Sequence, residues 1–179
     1  GTRLALAEDE DYPPLLRETA RAPFGLYILG TADWSRPIVA IVGTRRATGE
    51  GLKIAHAFAK DLAAQGIVIA SGLALGVDGA AHAGAIASGA RGATVAVLPC
   101  GLDDLYPKTH ANLANEIIRT GGALISEYPL GTPSFPINFL ERNRIVAGVS
   151  RGTIVIEAPY QSGALVTAKL AVEANREVF

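Results

Sequence analysis

The residues with most to offer chemically lie between Ile38 and Gly51, IVAIVGTRRATGEG, where an apolar run meets a glycine turn holding two arginines. Glycine lets a backbone approach a phosphate. A helix beginning near Gly49 would aim its free N–H groups at the ligand, and the guanidinium of Arg45 or Arg46 can fork onto phosphate oxygens. The spacing is not that of a dinucleotide fingerprint: after Gly43 the next glycines are Gly49 and Gly51, and no acidic residue follows the next apolar run closely. Nor does a GK[ST] triplet close the turn, as it would in a nucleoside triphosphate loop. The chemistry indicated is phosphate recognition with the cofactor open. The plainer alternative is a strand-to-helix turn whose arginines face water.

Other chemistries find less support. The single cysteine, Cys100, excludes an internal disulfide and a Cys-rich zinc site, fits a reducing compartment, and has no obvious base beside it. It reads as a buried strand-end residue. His56, His82 and His110 fall on expected helices or their starts without metal-ligand spacing, and Asp103-Asp104 reads as a solvated loop. No catalytic residue and no metal are assigned.

The elements that must position the turn follow from composition and pattern. At 179 residues, 49% hydrophobic and 18% charged, the chain can bury one substantial core. No apolar run reaches the roughly 18 residues a membrane span needs, and no signal peptide opens the sequence, so a soluble cytoplasmic protein is expected. The chain opens with Gly, contains no Met and stops after EVF, which suggests a trimmed piece of a longer protein. Net charge is −1. Residues 1–36 hold six acids against four arginines, leaving a balanced body, so any polyanion must meet a local cluster and backbone amides.

Residues 1–36 read as a short helix and a strand forming a small N-terminal extension that packs on a core of residues 37–179. In the core, strands are expected near 38–42, 66–70, 93–98, 123–126, 153–157 and from 177 onward, rich in Val, Ile and Ala without alternation. Helices near 49–65, 77–89, 108–120, 138–148 and 163–175 fill the gaps. The alternation predicts an α/β fold: an extended Rossmann-like, doubly wound, mostly parallel sheet with helices on both faces and its ligand site at the strands' carboxyl ends. All five turns expected there carry Gly, Ser or Pro. Converging on one rim, they would make a glycine-lined groove better suited to an extended phosphate backbone than to a compact nucleotide.

GTRRATGEG, SGLALGVDGAAHAGAI, GLDDLYPKTH, LISEYPLG, FLERNRIVAGVS and IEAPYQSGALVTAKLA, in this order, resemble the DNA-processing protein A family (DprA, also called Smf). The resemblance covers roughly residues 37–179, with similar patterns in the leader. It implies a Rossmann-like domain that dimerises as a homodimer, binds single-stranded DNA, and helps load the RecA recombinase during natural transformation, with no cofactor and no enzymatic activity. Gly43, Thr44 and Arg45 match the family's Gly-Ser-Arg turn, with Thr keeping the hydroxyl. Arg45 is the expected contact and Arg46 a solvated neighbour. Ser71, Gly72 and Gly76 match the second turn, where Asp78 reads as an N-cap. Lys108 fits a basic position near the groove. Phe139, Arg142, Asn143 and Arg144 match Phe-Pro-x-Arg-Asn-Arg, with Leu140 in place of proline.

Single-strand binders stack bases on aromatics and follow the backbone with cations, which makes Phe139, helped by Phe135, the stacking candidate. The alternative is that Phe139 is helix core. Arg142 and Arg144 lie two apart and cannot share one helix face, so one at most points into the groove, and Arg142 is favoured. Asn143 could meet DNA or satisfy a loop backbone. Ser162 and Gly163 open the last helix and can offer N–H groups to phosphate, while Thr167 and Lys169 read as inside or solvated helix positions. The other function class is a nucleotide-processing enzyme of the lysine-decarboxylase-like (LOG) phosphoribohydrolase type, but its double glycine and glutamate are missing from EAPYQSGALVTA.

Overall fold

The computed structural model describes residues 1–179. Its eight strands are β1 (Arg3–Leu6), β2 (Gly25–Gly30), β3 (Ile38–Gly43), β4 (Val68–Ser71), β5 (Thr94–Val97), β6 (Ala123–Ser126), β7 (Gly152–Ile156) and β8 (Glu177–Val178). The helices are α1 (Pro14–Arg17), α2 (Gly49–Ala64), α3 (Val77–Ala87), α4 (Ala111–Arg119), α5 (Pro136–Gly148) and α6 (Gly163–Glu173), with a short 3₁₀ turn at Lys108–His110.

All strands join one sheet in the order β1-β2-β6-β5-β4-β3-β7-β8. From β6 to β8 the neighbours are parallel, and β2 and β1 extend the sheet antiparallel. The expected core elements are present to within a few residues. The leader differs from expectation: it supplies two strands, not one, and continues the sheet edge, with Tyr27 of β2 paired to Ser126 of β6. The physical reason is the backbone of β6, whose outer edge would otherwise carry unpaired N–H and C=O groups.

Strands β4, β5 and β6 are buried along their whole length, as parallel strands covered on both faces must be. The two-residue period of a strand divides the core. Ile38, Ala40 and Val42 of β3 face a layer holding Ile145, Val146 and Val149 at the end of α5, with Leu16 of α1, whereas Ile41 faces α2 and α3. α2 presents Ala55, Ala59 and Ala63 to Val77, Ala81 and Ala85 of α3, a stripe of small side chains that lets the helices sit close. A third cluster buries Leu98, Cys100, Leu124, Ala114 and Ile117 under α4.

The order of strands places the site. From β3 the chain steps outward through β4, β5 and β6, and α5 then returns it to the other side of β3 as β7. The direction of winding reverses between β3 and β7, and a doubly wound sheet opens its ligand crevice at that reversal, beyond the carboxyl ends of the strands.

Candidate functional site

A groove of about 610 Å³ lies at that position, and five segments build it. Gly43, Thr44 and Arg45 come from the turn after β3; Ala74 and Asp78 from the turn after β4 and the start of α3; Phe139, Arg142 and Asn143 from α5; Ser162, Gly163 and Thr167 from α6 and its cap; Tyr106 from the loop before α4. Arg45 stands exposed, and its guanidinium carbon lies 4.8 Å from the centroid of the Phe139 ring. Tyr106 meets the same ring edge-on, with centroids 5.2 Å apart and planes at 78°. None of the molecule's ion pairs engages Arg45. A partly exposed aromatic carrying a cation, in a groove with an aromatic wall, is a surface on which a flat ring can stack and a phosphate can be held.

Arg142 has a different role from Arg45. It is 4% exposed and lies in the groove floor, where its Nη1 donates to the Val97 carbonyl at 2.6 Å and its Nε has no hydrogen-bond partner. Gly72 makes room for it, since a Cβ there would overlap the guanidinium. Burial pushes the Arg142 pKa down, and the attraction of Asp78 works against that shift. Asp78 is itself buried, and burial raises its pKa while Arg142 opposes the rise. Its Oδ2 accepts from the Gly72 N–H at 3.1 Å. The N-cap of α3 is Gly76 and not Asp78, whose carboxylate braces the β4 turn instead of the helix end. Arg144, the other candidate, turns away from the groove and donates to both carboxylate oxygens of Glu127, at 2.5 and 2.6 Å.

The remaining predicted residues divide in the same way. The Asn143 amide donates to the Gly163 carbonyl at 3.2 Å and ties α5 to the start of α6, and Thr167 Oγ1 donates to the same carbonyl at 3.2 Å. Ser162 caps α6 by accepting from the Leu165 N–H. Ser71, Gly72, Gly76 and Lys108 are not brought to the groove lining. Ser71 is fully buried and donates to the Ile41 carbonyl at 2.6 Å, Gly76 packs against the Thr44 carbonyl, and Lys108 is an exposed side chain on the 3₁₀ turn.

Two histidines complete the turn after β4. The Leu73 N–H donates to His82 Nε2 at 3.3 Å, and His110 Nδ1 lies 2.9 Å from the Leu73 carbonyl, so both backbone groups of this left-handed residue (φ 57) are held. His82 must then carry its proton on Nδ1, 2.7 Å from Thr94 Oγ1, whose own hydroxyl donates to the Ile69 carbonyl. Burial, aided by the charges of His110 and Arg142, pushes the His82 pKa down to about 3. Burial likewise pushes the Cys100 thiol up to about 11, which keeps it protonated and unreactive at neutral pH.

Sequence reasoning missed Tyr106 and Glu157, and it read Asp78 as an N-cap where the N-cap is Gly76. Tyr106 could have been suspected as an aromatic beside Pro107, close to Lys108. Glu157, an acid closing an apolar strand, replaces the expected geometry at α2. Two of that helix's first four N–H groups are already held within the chain: the Thr48 N–H donates to Glu157 Oε2 at 2.7 Å and the Gly51 N–H to Thr48 Oγ1 at 3.0 Å.

Fold and groove together define a Rossmann-like α/β domain with an aromatic-lined cleft bearing a cation at its switch point. The chain belongs to the DNA recombination-mediator protein A family, whose profile matches residues 3–179. Protein Smf of Escherichia coli (strain K12) is 42% identical over 174 residues, covering 97% of this chain and 46% of that protein. DNA processing protein DprA of Streptococcus pneumoniae is 41% identical over 172 residues, covering 96% of this chain and 60% of that protein. The chain thus spans about half the length of the curated relatives it matches. The X-ray structure of the Streptococcus pneumoniae protein superposes with a TM-score of 0.89 at 37% identity, over 99% of this chain and 62% of the other. DNA processing protein A of Helicobacter pylori, whose structure describes a single-stranded DNA binding mode, superposes with a TM-score of 0.86 at 31% identity, over 99% and 79%. A molybdenum cofactor binding protein of Rippkaea orientalis, at 22% identity and a TM-score of 0.57, shares the fold alone. No helix is long and apolar enough to cross a membrane.

Proposed function

We propose that this chain is the strand-binding domain of a DNA recombination mediator, which holds single-stranded DNA in the β3–β7 groove and performs no catalysis on it. The observation that carries this reading is the Arg45 guanidinium resting on the Phe139 ring, at 4.8 Å, within that groove. A nucleotide unit offers a ring to Phe139 and a phosphate to Arg45, and both partners already stand side by side. Gly163 and Ser162 bring the start of α6 to the opposite wall, where helix N–H groups suit a second phosphate. The Helicobacter pylori relative, described by its single-stranded DNA binding mode, supports the same ligand here. In the intact protein the partners would be RecA recombinase, loaded onto the protected strand during transformation, and a second copy of the chain, acting in the cytoplasm. The 1–36 leader would act as an extension of the 37–179 core.

Fluorescence anisotropy of a labelled oligothymidylate tests this, with Arg45→Ala and with mononucleotide as competitor, at two salt concentrations. The expected result is salt-sensitive binding that weakens by about tenfold in the variant, with a slope in log salt of roughly −0.7 per phosphate contacted and little dependence on base sequence. A protein that ignores the strand and binds the mononucleotide would overturn the reading in favour of a nucleotide-processing enzyme.

A further inference from the structure

The turn after the first strand of a doubly wound unit is where such folds ordinarily present a helix N-terminus to a phosphate. Here an anion of the chain's own already occupies that place. Glu157, the first residue after β7, accepts from the Thr48 N–H through Oε2 at 2.7 Å and from the Thr48 hydroxyl through Oε1. Thr48 is the N-cap of α2. The hydrogen bonds from Thr48 hold the Glu157 carboxyl below its ordinary pKa, so it is charged at neutral pH. Three further features build this arrangement. The Glu157 carbonyl accepts from the Thr44 N–H at 2.8 Å, which locks the residue to the arginine turn, and its backbone is left-handed at φ 48. Gly51 leaves the side chain its space, because a Cβ there would stand 2.5 Å from the Glu157 Cδ.

We infer that Glu157 is a specificity-determining residue: it fills the phosphate-accepting end of α2 and bars free phosphate monoesters and mononucleotides from the turn, leaving the groove to a polymer. A lone phosphate dianion brought to this turn would meet a fixed carboxylate, and like charges so close repel strongly. A strand escapes the penalty. It meets Arg45, Phe139 and the start of α6 away from the carboxylate, and its linked units bind together where one unit would not. The exclusion of monoesters stands by itself; only the preference for polymer rests on the strand-binding reading.

Inorganic phosphate and AMP would be titrated into the wild-type chain, Glu157→Gly and Glu157→Gln, with ³¹P and amide NMR as readouts, and AMP would be used to compete against a bound labelled oligothymidylate. Glu157→Gly empties the place and suits a left-handed backbone. It is expected to bind phosphate and AMP about tenfold or more tightly than wild type, with shifts at the Thr48, Gly49 and Glu50 amides, and to let AMP displace the oligonucleotide. Glu157→Gln keeps the side chain in place without its charge and should gain a smaller part of that affinity. A folded Glu157→Gly whose phosphate affinity stays within about twofold of wild type overturns the inference. Should Glu157→Gly fail to fold, Glu157→Gln decides, because an unchanged phosphate affinity there overturns it equally. If wild type ignores the oligothymidylate, the strand reading falls and the phosphate titrations still settle what Glu157 does.

Discussion

Two glycine-bearing turns leave adjacent strands of the sheet at the same rim, and they face opposite ways. After β3, the turn from Gly43 to Thr48 sends Arg45 outward onto Phe139. After β4, the turn from Ser71 to Asp78 directs its polar groups inward: Ser71 to the Ile41 carbonyl, the Gly72 N–H to Asp78, and Leu73 to His82 and His110. In sequence both read as turns of one glycine-lined, strand-binding groove. The difference lies in what faces them, since the β4 turn lies against α3, α4 and the buried Arg142. There an unpaired polar group carries a desolvation cost, and the Ser71 hydroxyl, the Gly72 N–H and both backbone groups of Leu73 each have an internal partner. One turn faces the groove with a free cation and the other holds the floor beneath it.

Substitutions in the β4 turn should therefore strike stability first. Gly72→Ala is expected to cost about 3–5 kcal/mol, because its Cβ displaces the guanidinium of Arg142 from the Val97 carbonyl and leaves a buried charge without its partner. Urea denaturation would show the loss directly, and a transition within about 0.5 kcal/mol of wild type would sink the idea that Arg142 is wedged against this glycine.

Acid should find the same weakness more gently. His82 is neutral in the fold, with its pKa at about 3 against an ordinary 6.5, so the unfolded chain takes up the proton first. Its contribution is complete above pH 6.5 and is lost as pH falls toward 3, reaching about 2 kcal/mol by pH 5. Asp78, whose pKa is raised by burial, has the opposite slope: its contribution is present at low pH and lost as pH rises through its folded pKa. The informative measurement is thus the difference in pH dependence between wild type and His82→Gln, which keeps an acceptor for the Leu73 N–H and leaves His110, Arg142 and Asp78 in place. The variant should show a flatter loss between pH 6.5 and 5, and equal slopes would remove His82 from the account.

This comparison also shows how much could be read in advance. The apolar runs that become β3 to β7 and the small-residue stripe of α2 state their burial in their own pattern, so the core was legible. The arginine turn was legible too, because glycine followed by exposed cations has few uses. The direction of a buried polar side chain was not. Helix spacing admits at most one of Arg142 and Arg144 to the groove, and Arg142, the one favoured, does line it; that it is buried in the floor, and that Arg144 pairs with Glu127, is decided by residues far away in sequence, Val97 and Gly72 for one and Glu127 for the other. Glu157 escaped for the same reason: its partner Thr48 lies across the sheet's switch point. The second strand of the leader was missed because a four-residue edge strand declares itself only by the partner it finds.

On the working side of the comparison, effects should appear in binding with the fold intact. Phe139→Ala removes the ring on which Arg45 rests and a base would stack, and about tenfold in single-strand affinity should go with it, near 1.4 kcal/mol. The ring is only part-buried, so the cost to stability should be smaller than that of Gly72→Ala. Phe139→Tyr would keep the stacking face and recover most of the affinity. A Phe139→Ala protein that binds as wild type does while unfolding more easily would return the residue to the helix core.

Arg46 sets the lower bound of the working turn. It is exposed, stands beside Arg45 in the chain, and is absent from the groove lining. Its only recorded tie is through the backbone, where its N–H donates to Thr44 Oγ1 at 3.2 Å, a bond that alanine would keep. Arg46→Ala therefore removes one unit of charge near the strand without removing a contact. At low salt the affinity should fall by less than about twofold, and near 0.15 M salt the Debye length of about 8 Å should screen most of that. The slope of log affinity against log salt should match wild type, whereas Arg45→Ala should flatten it by about one phosphate's worth. An equal flattening in both variants would show that the strand crosses the turn on both arginines, and the division between a single forked contact and its solvated neighbour would have to be redrawn.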